Sequence, residues 1–569
     1  MQGDMKTMPR FKVTRWIRRT LFSVGTVMFV GLAPCSSALG ADPPRLTVVV
    51  VVDQFRHDYL HRFEDLFVDD GFRRFMDGGA WMTDATYGHM HASTSPGHSV
   101  ITSGSYGYRT GMIANSWYDR ELGARRNSLV DPDHRILGRE PDPKMRTSPR
   151  ELQGSSLPSE LKMSTRFQGK YFAISMKDYA AIISAGKLGT PFWYEAAIGR
   201  FTTSDFYMDE LPDWVEAFNA QELPESYFGK QWERLLPVAV YEERAGIDDR
   251  PNEENNRESG ITFPHTITGG LERPGTAFYN AIKHTPWSND VELEFARRLI
   301  VEEGLGEDDV PDVLVVSLSG NDYVGHDYGP YSQEVLDMTV RTDRQLADFF
   351  HFLDEHVGLD RSLLVLTSDH GVAPLPEETA RLGIPAARVP PAELSAFVDA
   401  RLDERLGEDD WVLHLHATGL YLNYDAMERH DLRRQDVEQL GAQALVAHPG
   451  VEMAYTRTQI MNGQLPNTRI TRRVVRSFFP DKSGDVIPVA TPFHLLFDEY
   501  SEAPYGTSHD QPQDYDVHVP LLFYGRWVKP GRYHQPVDMA DVTPTLCVLL
   551  GISMPSSRDG RVLGEILRE

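Results

Sequence analysis

The sequence predicts an α/β fold: a large, mostly parallel sheet flanked by helices, with inserted α+β cap segments. Three observations carry that expectation. Val48 to Val52 is an unbroken run of five valines, and a run without polar alternation suits a strand covered on both faces, as parallel sheets require. Shorter apolar runs recur at Tyr171 to Ser175, Val313 to Ser317 and Leu363 to Thr367, and each breaks into charged or polar residues at its end. Leu336, Val340, Leu346, Phe350, Leu353 and Val357 then return every three or four residues, the pattern of an amphipathic helix, with Asp343 as its polar exception.

The N-terminus reads as a leader. Arg10, Lys12, Arg15, Arg18 and Arg19 precede an apolar run from Leu21 to Leu32, and Ala38-Leu39-Gly40 offers small residues for cleavage before Ala41. The competing reading is a membrane anchor, but the apolar run is shorter than a span needs. Cys35 is set aside as a lipoprotein site because Pro34 stands where a small residue is wanted. Residues 1–40 are therefore expected to be a signal peptide, placing the protein in the periplasm or outside the cell with no stable membrane insertion. Once the leader is removed Cys547 is the sole cysteine, which excludes an intramolecular disulfide.

Residues 41–373 are expected to form the core. Arg56 to Met76 reads as one helix stopped by Gly78-Gly79, and Ser93-Thr94 as a helix entrance. Two surface insertions are expected within the core: about 120–150, polar and rich in proline and glycine, and 201–284, without clear period. Residues 374–500 read as an inserted α+β subdomain, with helices at Ala392 to Leu406 and Arg433 to Ala447 and strands at Trp411 to Leu415 and Gly484 to Val489. Residues 501–569 return to the core through a strand at Leu521 to Tyr524 and a helix at Met539 to Leu550.

The net charge of −26 argues against binding to nucleic-acid polymers. An anionic substrate would need local positive charge, which metal ions can provide. No P-loop, dinucleotide fingerprint or HExxH motif occurs. Instead, strands end at Asp53, at Asp322 with His326, and at Asp369 with His370, while a later loop carries His509. Parallel strands present their carboxyl ends on one edge, so these side chains can meet there. Three aspartates and three histidines make two mixed nitrogen and oxygen donor sets, suited to zinc. On local grounds Thr94 is either a helix cap or a nucleophile.

VVVVVDQFRHDYL at Val48 to Leu60, STSPGH at Ser93 to His98, NSWYD at Asn115 to Asp119, SMKD at Ser175 to Asp178, GNDYVGH at Gly320 to His326, TSDHG at Thr367 to Gly371 and GTSH at Gly506 to His509 run in one order along the chain. In this the sequence resembles the alkaline phosphatase superfamily, in the branch of the nucleotide pyrophosphatase/phosphodiesterases and the threonine-nucleophile alkaline phosphatases. The resemblance implies Thr94 as nucleophile and metal neighbour, with two zinc ions. Asp322, His326 and His509 would hold one ion, and Asp53, Asp369 and His370 the other. It also implies that Asn115 and Lys177 contact the phosphoryl oxygens. Monoesterases of this branch carry Lys-x-Arg where this chain has Lys177-Asp178-Tyr179, so a phenol that donates one hydrogen bond and no charge replaces a guanidinium. Asp510 stands where glycine is expected, and His518 is a rival third ligand.

Within the superfamily, sulfatases need a convertible Cys or Ser and an arginine that Thr94 to His98 lacks, and phosphoglycerate mutases use serine. The expected function is phosphate monoester hydrolysis on a small ester through a phospho-threonine, Lys177 being the residue that favours a dianion. The alternatives are a phosphodiesterase with the same site and a non-catalytic metal-binding protein.

Overall fold

The computed structural model describes residues 42–253, 258–496, 499–501 and 506–568. The leader reading, with Cys35, lies outside the described residues. Nine strands form the central sheet: β1 (Leu46–Val52), β2 (Ala80–Met82), β3 (Tyr171–Ser175), β4 (Thr190–Glu195), β5 (Arg200–Thr202), β6 (Asp312–Leu318), β7 (Ser362–Thr367), β8 (Leu521–Tyr524) and β9 (Gly531–Tyr533). Their order is β9-β2-β8-β7-β1-β6-β3-β4-β5. The block β7-β1-β6-β3-β4 is parallel throughout, while β5 and β8 pair antiparallel with their neighbours.

The valine run is the middle of this block, with Val50 opposite Val316 on one side and Leu366 on the other. Val48, Val50 and Val52 pack into one apolar core with Leu346 and Phe350, and Val49 and Val51 into a second with Val542 and Leu546. Strand periodicity thus sends alternate valines to opposite layers, and both layers are covered by helices. Three helices position the site: α1 (Thr94–Ser103), α2 (Gly320–Tyr328) and α3 (Gln333–His356).

The helix expected from Arg56 to Met76 is instead broken into His57–Arg62, a single 3-10 turn at Glu64–Leu66, and Phe72–Gly78. The cause is Asp343, the polar exception on α3. Its buried carboxylate accepts the backbone N–H groups of Val68 and Phe72, each at 2.7 Å, and so captures the chain between the helical pieces. Gly71 permits the approach, since a Cβ there would lie 2.1 Å from Asp343 Oδ1. Burial pushes the Asp343 carboxyl up to about 6. An acid raised in the folded state contributes stability that is complete below its ordinary value and lost as pH rises through the raised one. Asp343→Asn should therefore flatten the stability profile between about pH 4 and pH 6. It should also cost about 1–3 kcal/mol for the lost acceptor, read by urea unfolding at several pH values. An unchanged profile would remove Asp343 from this role.

The stretch expected as an insertion from 201 opens on the edge of the central sheet, where Trp193 to Glu195 of β4 pairs with β5. Farther along, Val412–His416, Gly419–Leu422, Val486–Ala490 and Val451–Thr456 form a four-stranded antiparallel sheet in that order. Helices Pro391–Leu406 and Arg434–Val446 cover it around Leu394, Val398 and Leu445. The closing helix begins with a 3-10 turn at Met539–Asp541 and runs as an α-helix over Val542–Leu550. Its Cys547 is buried and free. No helix among the described residues is long and apolar enough to cross a membrane.

Candidate active site

The site grows from one edge of the parallel block. Asp53 follows β1, Asp369 and His370 follow β7, Lys177 follows β3, and Asp322 and His326 lie on α2 immediately after β6. These four strands are neighbours in the order β7-β1-β6-β3, so their carboxyl ends deliver the side chains side by side. Asp322 and His326 are four residues apart on a helix and share its inner face. Thr94 is the first residue of α1. That helix comes close because residue 97 is glycine: a Cβ there would lie 2.3 Å from the backbone oxygen of Asp369.

Thr94 Oγ1 lies 3.4 Å from Lys177 Nζ and 3.4 Å from His370 Nε2. The ammonium of Lys177 is held between two carboxylates, 2.7 Å from Asp53 Oδ2 and 2.6 Å from Asp322 Oδ2. Burial alone would lower Lys177, but Asp322 and Asp53 outweigh it and hold the ammonium well above its ordinary value. Burial and the adjacent carboxylates of Asp322 and Asp369 push Asp53 well up.

Two sets of donor atoms, each mutually within 4.8 Å, are present: Asp322, His326 and His509, and Asp53, Asp322 and His370. The first is the set implied by the resemblance. In the second, Asp322 stands where Asp369 was expected. Asp369 stands beside this set: its Oδ1 accepts the N–H groups of Gln54 and His370, at 3.2 and 3.1 Å. Its Oδ2 lies 3.3 Å from His98 Nδ1 and 3.6 Å from His370 Nε2.

These residues are fit to bind metal on three structural grounds. His326, His370 and His509 each donate Nδ1–H to a backbone carbonyl, of Thr507, Gly371 and Ala92 respectively, at 2.7–2.9 Å. That tautomer leaves Nε2 as a lone-pair donor facing inward, the arrangement metal-binding imidazoles need. Burial lowers His370 and His509, which favours the neutral ring, whereas at His326 the Asp322 carboxylate outweighs burial and raises the imidazole to about 9, so an ion would have to displace its Nε2 proton. Finally, Asp53 Oδ1 and Asp369 Oδ2 are buried and accept no hydrogen bond among the described residues.

A cavity of about 320 Å³ opens over Thr94 and is lined by Asn115, Lys177, Tyr179 and His509 among others. All the expected site residues are thus gathered here or directly beneath. Asn115 Oδ1 accepts Ser95 N–H at 2.8 Å, which fixes the amide at the cavity wall. Ser95 Oγ pairs instead with Ser128 Oγ at 3.2 Å. His518 is no ligand: its Nε2 bonds the carbonyl of Thr83 at 3.1 Å and its ring stacks on His57. Asp510 occupies left-handed backbone at φ 79°, which explains why glycine suits that position.

Four residues escaped sequence reasoning. Gln54 Nε2 donates to Asp322 Oδ1 at 2.8 Å, and Gly325 admits the side chain, a Cβ there lying 1.9 Å from Gln54 Oε1. His98 donates Nδ1–H to the Thr94 carbonyl at 2.9 Å and faces Asp369. Both lie inside motifs already noted, so position was a usable signal. Arg125 and Arg146 also line the cavity, although they fall in the stretch read as a surface excursion. Ser116–Asp119 pairs with Ala124–Asn127 as a hairpin, and Val130 bridges to Arg146, folding this excursion over the site.

The profile of the family described as type I phosphodiesterase / nucleotide pyrophosphatase matches residues 47–437, a span that includes every site residue except His509. The chain belongs to that family. Within the phosphodiesterase family's reach of sequences, it is 31% identical over 557 residues to alkaline phosphatase PafA of Elizabethkingia meningoseptica, covering 96% of this chain and 98% of the relative. It is 32% identical over 532 residues to alkaline phosphatase PhoV of Synechococcus elongatus, covering 92% and 93%. The crystal structure of wild-type PafA superposes with a TM-score of 0.85 at 30% identity, covering 93% of this chain and 99% of that one. The fold of this family member is therefore alkaline phosphatase-like.

Proposed function

We propose that the protein is an exported, zinc-dependent phosphomonoesterase that works through a phospho-threonine. The observation that carries this reading is the placement of Thr94 Oγ1, 3.4 Å from both Lys177 Nζ and His370 Nε2, beside two buried donor sets. Hydrolysis of phosphoric esters follows from the family and from the alkaline phosphatases that match nearly the whole chain. The mixed imidazole and carboxylate donors favour zinc. Asp322, His326 and His509 would hold one ion, and Asp53, Asp369 and His370 the other, with Asp322 near both. When bound, such ions make the Thr94 hydroxyl acidic enough to react near neutral pH and stabilise the departing oxygen.

The chain's own residues supply the rest. Thr94 Oγ1 attacks phosphorus, its proton is lost, and the bond from phosphorus to the ester oxygen breaks, releasing an alcohol once that oxygen is protonated. Water then attacks the phosphothreonine, phosphate departs, and the hydroxyl is restored. The Asn115 amide and the Lys177 ammonium lie on the cavity wall, placed to bind the nonbridging oxygens as their charge shifts. His98 holds the first turn of α1 through the Thr94 carbonyl, fixing the nucleophile's backbone.

The uncharged phenol of Tyr179 favours a second reading, a phosphodiesterase using the same nucleophile. The two separate cleanly: zinc-loaded protein should release product from an aryl phosphate monoester at least about 10-fold faster than from the matching diester, because a dianion gains more from the cationic wall. A faster diester would overturn the monoesterase assignment and leave the nucleophile untouched.

A further inference from the structure

We propose that Arg146 is a substrate-binding residue of this site, its two Nη groups gripping a nonbridging oxygen of the transferred phosphoryl group and so setting the preference for monoester dianions. The proposal rests on the hydrolase reading above and names the residue that gives it specificity.

Arg146 reaches the site from a segment about thirty residues before Lys177, and its backbone is not free to wander. It forms an antiparallel bridge with Val130, and the next residue, Thr147, donates its N–H to the Leu129 carbonyl at 3.0 Å, beside a buried Leu129. From that anchor the half-buried side chain enters the cavity shared by Thr94, Asn115 and Lys177. Its Nε donates to Asp178 Oδ2 at 2.6 Å. Its Cζ sits 4.6 Å from the centroid of the Tyr179 ring, over which Lys177 Nζ also lies at 5.8 Å. Lys177, Asp178 and Tyr179 are consecutive, so a single tripeptide carries the ammonium, a carboxylate that orients the guanidinium, and a flat ring that supports it.

Two features argue that this guanidinium is aimed at a ligand and is not a fastening for the segment. Only Nε is used: neither Nη of Arg146 has a hydrogen-bond partner among the described residues, and four N–H donors are left at the wall of a cavity over the nucleophile. A single partly exposed ion pair contributes little to holding a loop, and the bridge to Val130 already does so. The tyrosine at position 179 gains a purpose as well. It cannot supply a guanidinium, but it offers a stacking face on which one arriving from elsewhere in the chain is held, restoring a planar, directional donor for oxyanions.

The test compares zinc-loaded wild type, Arg146→Ala and Arg146→Lys with p-nitrophenyl phosphate and bis(p-nitrophenyl) phosphate, together with inhibition by inorganic phosphate. In R146A, kcat/KM for the monoester should fall by about 10- to 100-fold, that for the diester by less than about 3-fold, and phosphate should inhibit correspondingly less. R146K, which keeps the charge and loses the forked donors, should fall between. Equal losses on both substrates, or an unchanged ratio, overturn the proposal, since a purely structural arginine would move both rates together. If R146A does not fold, Arg146→Gln and R146K carry the same readout. A wild type that prefers the diester would overturn the monoesterase reading alone, because the change in ratio on substitution still decides whether Arg146 touches the phosphoryl group.

Discussion

Replacing Thr94 with alanine should lower monoester hydrolysis by about 10⁴-fold or more while leaving the fold intact. Thr94 is buried, but among the described residues its hydroxyl makes only the two 3.4 Å contacts with Lys177 and His370, so removing it should delete the proposed nucleophile and little packing. Thr94→Ser retains an oxygen at the same place and should keep activity within about 10-fold to 100-fold of wild type. Acid-quenched protein incubated with labelled phosphate ester should carry label on a threonine in the wild type and none in the alanine variant. Ser95 is a poor substitute because its Oγ is turned to Ser128. Substantial turnover by T94A, with unchanged melting temperature, would mean that another group attacks phosphorus and the site has been misassigned.

Stripping metal with a chelator should abolish activity by about 10³-fold or more, and zinc should restore it, with metal analysis giving two ions per chain. Asp53, Asp322 and Asp369 are buried together, and among the described lysines and arginines only Lys177 pairs with them. Two divalent cations against three carboxylates would leave net positive charge for an anionic ester, which would let a chain of net charge −26 hold phosphate. Because cations that bind only the folded state stabilise it, the stripped protein should also melt lower, and zinc should raise the midpoint in a concentration-dependent way. Full activity with magnesium alone would refute the zinc assignment. One ion per chain at full activity would refute the pair.

Much of the site could be read from residues because its chemistry sits at the ends of strands, where local pattern is strongest. Val48 to Val52 announces a doubly covered strand and hence places Asp53 at its carboxyl end; the same reasoning places Asp369, His370 and Asp322. Gln54 and His98 were within those motifs and went unread, since nothing in the order of residues says that Gln54 reaches across to Asp322. The partition of ligands was also beyond pattern. That Asp322 reaches both donor sets, while Asp369 Oδ1 is held by the N–H groups of Gln54 and His370 and its Oδ2 lies 3.3 Å from the His98 ring, is set by several segments at once.

What the sequence determined by itself was the layered sheet and the edge on which the candidate site residues gather, because strand period and residue type are local properties. Only the tertiary structure decided that the helix expected from Arg56 to Met76 would break, since the carboxylate that breaks it belongs to a helix roughly 270 residues away. In the same way it brought Arg146 out of a stretch expected to run over the surface to stand over Tyr179. Contacts of that kind carry no periodicity; they exist only once the sheet has assembled and its loops have somewhere to pack.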